Sequence, residues 1–178
     1  MVRIEIGAGH SKRQGFVHTD LYELEGGCID IICRAQALPF INDCAEHIIM
    51  WGVFEHLTRE QARKAVMECR RVLARGGKME LTAPDLMAAC RIMTTGKLPF
   101  PNHIFDEIKD RFPGKNQIME YALSMVYGGQ DRIGQVHQWG WTQEAMDDLL
   151  SETGFKIRRF DTNCFEPNTH LHYIAAKP

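Results

Sequence analysis

Period-two alternation opens the chain: Val2-Arg3-Ile4-Glu5-Ile6 alternates apolar and charged side chains, and Gly7-Ala8-Gly9-His10 breaks it at once. That pattern predicts a strand running into a tight turn. Residues 16–20 and 28–33 read as a second and a third strand, with a loop at Ala37-Leu38-Pro39-Phe40. A fourth covers 47–51, an almost wholly apolar run of the kind buried on both faces of a parallel sheet, and a fifth covers 78–83. Between these two the period changes to that of a helix. Ala62, Ala65, Val66, Cys69, Val72 and Leu73 fall on one face, Thr58 and Gln61 form a capping box, and Gly76-Gly77 stops the helix after Arg75. A second capped helix runs over 143–153, with Thr142 as N-cap and Ala145, Met146, Leu149 and Leu150 facing inward. Strands at 155–161 and 170–176 close the chain.

Strands alternating with crossover helices predict an α/β fold, a Rossmann-like doubly wound and mostly parallel sheet. Two features modify it. Only about nine residues separate strands one and two, and about eight separate two and three, where a parallel crossover needs a dozen or more. The early crossovers are therefore trimmed, and the thin flank they leave is a surface a homodimer would cover. Residues 85–140 depart from the alternation: 85–93 and 115–127 are helical by period, punctuated by Gly96-Lys97-Leu98-Pro99-Phe100-Pro101 and Gly128-Gly129-Gln130. The reading is one domain, 1–178, with 85–140 as a helical lid inserted after strand five.

A chain of 178 residues can bury a core without disulfides, and its six cysteines show no CxxC pair, so they read as reduced thiols. A net charge of -2 gives no global positive field for nucleic acid. The basic side chains of the first helix (Arg59, Arg63, Lys64, Arg70, Arg71, Arg75) are interleaved with Glu60 and Glu68 and read as a solvated face. No apolar run approaches the 18 or so residues that span a bilayer, and no leader pattern opens the chain, so a cytoplasmic protein is expected.

In such a sheet ligands lie beyond the carboxyl ends of the strands. Strand one ends in Glu5-Ile6-Gly7-Ala8-Gly9, where two residues without side chains let a ligand approach the backbone, and strand two ends in Asp20, an acid suited to a ribose diol. The third glycine of a dinucleotide fingerprint is absent, since Lys12 stands in its place, and no GxxxxGK[ST] occurs.

In this order the motifs resemble the class I S-adenosylmethionine-dependent methyltransferases, specifically small members with the type 11 signature. Glu5 to Gly9 resembles the family's first motif, and Asp20 falls where its ribose-binding acid is expected. Ala35-Gln36-Ala37-Leu38-Pro39-Phe40 resembles the loop that lines the adenine, and Trp51-Gly52-Val53-Phe54-Glu55-His56-Leu57 the segment after strand four. Arg70 to Lys78 with Ala83-Pro84-Asp85, and His137-Gln138-Trp139-Gly140-Trp141-Thr142 before the last helix, match later landmarks. The resemblance implies S-adenosylmethionine as cofactor, contacted by Glu5, Gly7, Ala8, Gly9, His10, Asp20, Leu21, Ala35, Gln36, Leu38 and Trp51. Arg34 departs from the pattern, standing where an acid usually meets the adenine amine.

Methyl transfer from a sulfonium asks the protein for positioning and exclusion of water, with a base only where the acceptor has a proton to lose. The candidates are His137, beside aromatics at the crevice edge, then His56, Asp85 and, in the insertion, His103. Trp51, Trp139 and Trp141 could box a methyl group or be packing. His170 and His172 share a strand face without a third ligand in the nearby sequence, so no metal is expected. The leading reading is a methyltransferase for a small-molecule acceptor. The alternatives are a catalytically idle domain that binds S-adenosylmethionine or its product, and a nicotinamide-dependent reductase.

Overall fold

In a computed structural model the chain is described over residues 1–23, 25–112, 114–130, 134–162 and 167–178, and the side chain of Arg159 is outside that description. Strands β1 (Val2–Ile6), β2 (Val17–Asp20), β3 (Ile31–Ile32), β4 (Ala45–Met50), β5 (Leu73–Pro84), β6 (Lys156–Asp161) and β7 (His170–Ala176) form one sheet in the order β3-β2-β1-β4-β5-β7-β6. Every pairing is parallel except the two made by β7. The order reverses between β1 and β4, which is the switch point of a doubly wound sheet.

Helices α1 (Arg59–Val72) and α5 (Gln143–Glu152) cover one face. The capping box at Thr58 and Gln61 is present, and Thr142 caps α5 through the amide of Ala145. Ala62, Ala65, Val66 and Cys69 of α1 and Met146, Leu149 and Leu150 of α5 meet Ile4, Ile48, Met50, Leu81 and Tyr173 in a single core. Burial pushes the Cys69 thiol far above its ordinary value, so it stays protonated as a packing group. Cys28, Cys33, Cys44, Cys69 and Cys90 are unbridged, and Cys164 lies outside the described residues.

Three sequence boundaries shift. Strand β3 shrinks to two residues, because only Ile31 and Ile32 find partners, on Thr19 and Asp20. Helix α1 stops at Val72, three residues before Arg75, because Leu73 turns extended and pairs with Ala45. Gly76-Gly77 then lies inside β5 as an irregularity, where the Gly76 amide donates to Lys177 O and Gly77 O accepts from the Lys177 amide.

Among the described residues no helix occurs between β1 and β2, β2 and β3, or β3 and β4. The sheet face opposite α1 and α5 is therefore free of helices, and it is polar: Glu5, His18, His47, Glu80 and His172 point there, with Ile49 buried among them. The insertion folds as α2 (Leu86–Thr95), α3 (Asn102–Asp106), a 3-10 turn and α4 (Gln117–Tyr127) around its own apolar cluster of Ala89, Ile92, Phe100, Phe105, Tyr121 and Met125. Among the described residues no helix is long and apolar enough to cross a membrane.

Candidate functional site

The carboxyl ends of β1, β2 and β4 meet at the switch point. Gly7 and Gly9 take φ of 68° and 56°, the left-handed region that costs residues with a Cβ about 1–2 kcal/mol. A Cβ on Gly7 would also collide with Cγ2 of Val53, so β1's turn packs directly on the segment after β4. The Ala8 amide donates to Thr19 O, tying this turn to β2. Asp20 is the hub: Oδ2 accepts from the Gly9 amide at 2.9 Å, and Oδ1 from the amides of Leu21 at 2.7 Å and Tyr22 at 3.3 Å. His10 and Leu21 flank it, exposed.

Glu5 is buried on the helix-free face. It accepts from Ser11 Oγ at 2.8 Å and Arg13 Nε at 3.4 Å, with His18 Nε2 also 3.4 Å away, so it holds the 10–16 loop in place. Trp51 is half-buried on the same side, under the Arg13 guanidinium at 4.8 Å and edge-on to His172.

Ala35 and Leu38 are buried and Gln36 half-buried in the turn after β3. Two residues of α1 pin that turn, and sequence reasoning assigned them to a solvated face. Glu68 accepts from the Leu38 amide at 2.9 Å, while Arg71 donates to Leu38 O, Phe40 O and Asn42 Oδ1 at 3.0, 2.8 and 2.8 Å. The signal available was the Glu68–Arg71 pair at i and i+3, which orients both side chains.

Across the crevice, Phe54–His56 form a 3-10 turn after β4. The amide of Gln138 donates to Glu55 O at 2.7 Å, and the indole of Trp141 to Phe54 O at 3.1 Å, so residues 137–141 are stitched to that turn. This brings His56 and His137 together edge-on, with ring centroids 4.9 Å apart. Each Nδ1 faces a backbone carbonyl, Val136 O at 3.2 Å for His56 and Met125 O at 3.0 Å for His137. A carbonyl only accepts, so each Nδ1 carries the proton and each Nε2 keeps its lone pair. Burial, and then the neighbouring imidazoles of His56 and His170, push His137 down to about 4, and burial also lowers His56. Both rings are neutral at physiological pH.

Glu55, which sequence reasoning passed over, completes the group. It is buried, its Oε2 has no hydrogen-bond partner among the described residues, and burial raises its carboxyl to about 7. One ligand atom from each of Glu55, His56 and His137 lies within 4.8 Å of the others.

Other candidates have separate places. Asp85 is the N-cap of α2, accepting from the Met87 amide at 2.9 Å and from Arg91 at 3.2 Å. His103 is exposed on α3. The three tryptophans have separate neighbours: Trp141 is buried against Phe54, Trp51 meets Arg13 and His172, and Trp139 is exposed. His172 is held between Glu80 at 3.1 Å and Asp161 at 3.5 Å.

The family described as "Methyltransferase domain" matches residues 8–81, which contain the three turns and most of α1 and β5. No curated protein matches the sequence. Among solved structures, a Pyrococcus horikoshii protein superposes with a TM-score of 0.64 at 14% identity, covering 99% of this chain and 81% of that one. A Thermotoga maritima S-adenosylmethionine-dependent methyltransferase, described as a possible histamine N-methyltransferase, gives 0.60 at 12% identity, with 99% and 82% covered. A Burkholderia thailandensis 1,6-didemethyltoxoflavin-N1-methyltransferase, solved with its acceptor and S-adenosylhomocysteine, gives 0.60 at 12% identity, with 99% and 70% covered. At such identities the superpositions speak for the fold, while the family match adds the motifs around the crevice. Residues 8–81 thus match the methyltransferase-domain family, and over its whole length the chain has the fold of the class I S-adenosylmethionine-dependent methyltransferases, similarities that support S-adenosylmethionine as the cofactor.

Proposed function

We propose that the protein is an active methyltransferase that moves the methyl group of S-adenosylmethionine to a small-molecule acceptor by in-line displacement. The observation that carries this reading is the chemistry of the turn after β1. Among the described residues no helix begins behind Gly9, so the helix N-terminus that a pyrophosphate needs is missing. Acids stand there instead: Asp20 in the turn and Glu5 beneath it. That surrounding suits a cationic, phosphate-free adenosine ligand and disfavours a nicotinamide dinucleotide.

Bound there, S-adenosylmethionine supplies an electrophilic methyl group. Gly7, Ala8, Gly9 and His10 would border its amino-acid end, Asp20 and Leu21 its ribose, and Ala35, Gln36 and Leu38 its base. Glu5 and Trp51 contribute by fixing the 10–16 loop through Ser11 and Arg13. On the acceptor side His137 offers the Nε2 lone pair that takes a proton from the acceptor, with His56 packed against it. Asp85 positions α2, and the insertion 85–140 serves as lid, since Met125 at its α4 orients the His137 ring. A homodimer would close over the helix-free sheet face, which sedimentation of the pure protein reads directly.

One observation favours a second reading, an idle domain that only binds the cofactor: the carboxylates of Asp20 and Glu5 already have partners within the chain. Calorimetry and thermal shift with S-adenosylmethionine, S-adenosylhomocysteine and NADH test the cofactor, a ligand at 100 times its dissociation constant adding about 2.7 kcal/mol. A His137→Ala variant tests activity: it should bind cofactor normally and turn over about 10²- to 10⁴-fold more slowly. Binding without turnover against any acceptor would leave the idle reading, and binding of NADH alone would remove both.

A further inference from the structure

The group at Glu55, His56 and His137 is more elaborate than a base requires. A lone general base needs one imidazole and one orienting partner. Here two imidazoles and a carboxylate converge, and three features point to a common guest.

First, each Nδ1 is held by a backbone carbonyl, from Val136 and from Met125, which leaves both Nε2 lone pairs for a ligand. Orientation of the far ring nitrogen by a carbonyl or carboxylate is the usual outer support of a metal-binding histidine. Second, Glu55 is buried, and among the described residues its Oε2 has no hydrogen-bond partner. A buried carboxylate oxygen left without a partner is costly to keep, so a native fold that holds one there calls for a guest to satisfy it. Third, one ligand atom from each residue lies within 4.8 Å of the other two. Two atoms that each bind an ion at about 2.1 Å can stand no more than roughly 4.2 Å apart, so side-chain rotations of a few tenths of an ångström bring all three into range. Glu55 and His56 are adjacent on one turn, and His137 is tied to it through the Gln138 amide and Glu55 O, so the backbone is already fixed.

We propose that Glu55, His56 and His137 form a binding site for one divalent transition-metal ion, of the zinc class, with its open positions toward the acceptor side of the crevice. Two imidazoles and one carboxylate match zinc, cobalt or iron(II) and not magnesium or calcium, which take oxygen ligands. An Nε2 that binds the ion cannot also accept a proton, so the ion and the base role of His137 exclude each other at any moment. Resting on the methyltransferase reading, the open positions would take an oxygen of the acceptor, which assigns it to hydroxyl- or carboxylate-bearing molecules.

The test uses the full chain, stripped with a chelator and titrated with zinc chloride by calorimetry, without cofactor or acceptor. Elemental analysis after gel filtration counts the ion. The expected result is one zinc per chain in the wild type, weakened at least tenfold by Glu55→Gln and by His137→Gln, and unchanged by His172→Gln. Circular dichroism confirms that each variant is folded, and His56→Gln replaces either one that is not. Cobalt substitution gives a second readout, since nitrogen and oxygen ligands lack the intense near-ultraviolet absorption of thiolate ligands. Zinc binding that survives Glu55→Gln and His137→Gln, or a thiolate spectrum, places the ion on cysteines and overturns the proposal. Failure to bind micromolar zinc overturns it as well. Because no methyl transfer is measured, neither result can be confused with failure of the functional reading.

Discussion

The turn after β1 makes two glycines do different work, and a pair of substitutions separates them. Both have positive φ, so an alanine at either position carries the left-handed penalty of about 1–2 kcal/mol, partly offset by the roughly 0.4–1 kcal/mol that alanine gains by restricting the unfolded chain. At Gly9 no atom of the described residues lies within 4 Å of the new methyl group. Gly9→Ala should therefore cost about 1 kcal/mol or less, a few degrees of melting temperature at roughly 2–4 °C per kcal/mol. At Gly7 the methyl group meets Cγ2 of Val53, which is itself packed against the core. Overpacking of that kind adds about 1–3 kcal/mol, for a total near 2–4 kcal/mol.

The assay is a double-mutant cycle read by denaturant unfolding. Val53→Ala removes the colliding methyl group, so Gly7→Ala in the Val53→Ala background should lose less stability than in the wild type, with a coupling of about 1–2 kcal/mol. The same two substitutions paired with Gly9→Ala should be additive. If Gly7→Ala costs no more than Gly9→Ala, or if the Gly7–Val53 pair is additive within about 0.5 kcal/mol, the packing of the first turn on the segment after β4 is wrong. The mechanical link between the turn after β1 and the turn after β4 would fall with it.

Asp20→Ala should weaken S-adenosylmethionine binding by about 1.5–3 kcal/mol, and unchanged affinity in a folded variant would remove the ribose assignment. Arg71→Ala frees three acceptors in the turn after β3, so amide exchange at Leu38 should accelerate and stability fall by about 1–2 kcal/mol; unaltered exchange would show that Arg71 does not pin the turn. The imidazoles of His47 and then His172 hold the Glu80 carboxyl below its ordinary range. Its contribution to stability is therefore present above about pH 4.3 and lost as pH falls through the lower folded value. The stability gap between wild type and Glu80→Gln should be open at neutral pH and close in acid, and a gap independent of pH would refute the contact.

The parts of the fold written in local pattern were legible. Alternation in residues 2–6 followed by Gly7-Ala8-Gly9, the Thr58–Gln61 capping box and the Thr142 cap all follow from interactions within a few residues, which a sequence displays directly. What was missed depends on contacts across long stretches of chain. Glu55 was given no role of its own in the sequence, and its buried place comes from residues 137–141, which return some 80 positions later to hydrogen-bond its carbonyl and that of Phe54. Arg71 reads as one base among six, and its role follows from a turn 30 residues upstream. The end of α1 was misplaced for the same reason: Gly76-Gly77 is a sound local stop signal, yet pairing of Leu73 with Ala45 ends the helix sooner.

The trimmed crossovers explain why the crevice at the ends of β1 and β2 is built from clamps. A crossover helix ordinarily covers the sheet and fixes the turn before it. Without one after β1, the turn would be held only by its own backbone, and the polar face would open to solvent. The chain offsets both losses with side chains: Asp20 takes the Gly9 amide, Glu5 takes Ser11 and Arg13, and Arg13 lies over Trp51. Charged hydrogen bonds of this sort are directional and individually modest, about 1.5–3 kcal/mol each before solvent screening. Such a turn is therefore ordered by a few polar contacts rather than by a broad apolar interface, and contacts of that kind exchange readily with a ligand's own groups. A cofactor whose ribose displaced the Gly9 amide from Asp20 would loosen the turn as it bound. Protection of the Gly9 and Leu21 amides against hydrogen exchange should accordingly change in opposite directions, against the unchanged baseline of the buried Ile4 amide: Gly9 loses its acceptor while Leu21 is covered. Equal protection of both amides with and without cofactor would show that the clamp is permanent and that Asp20 is structural.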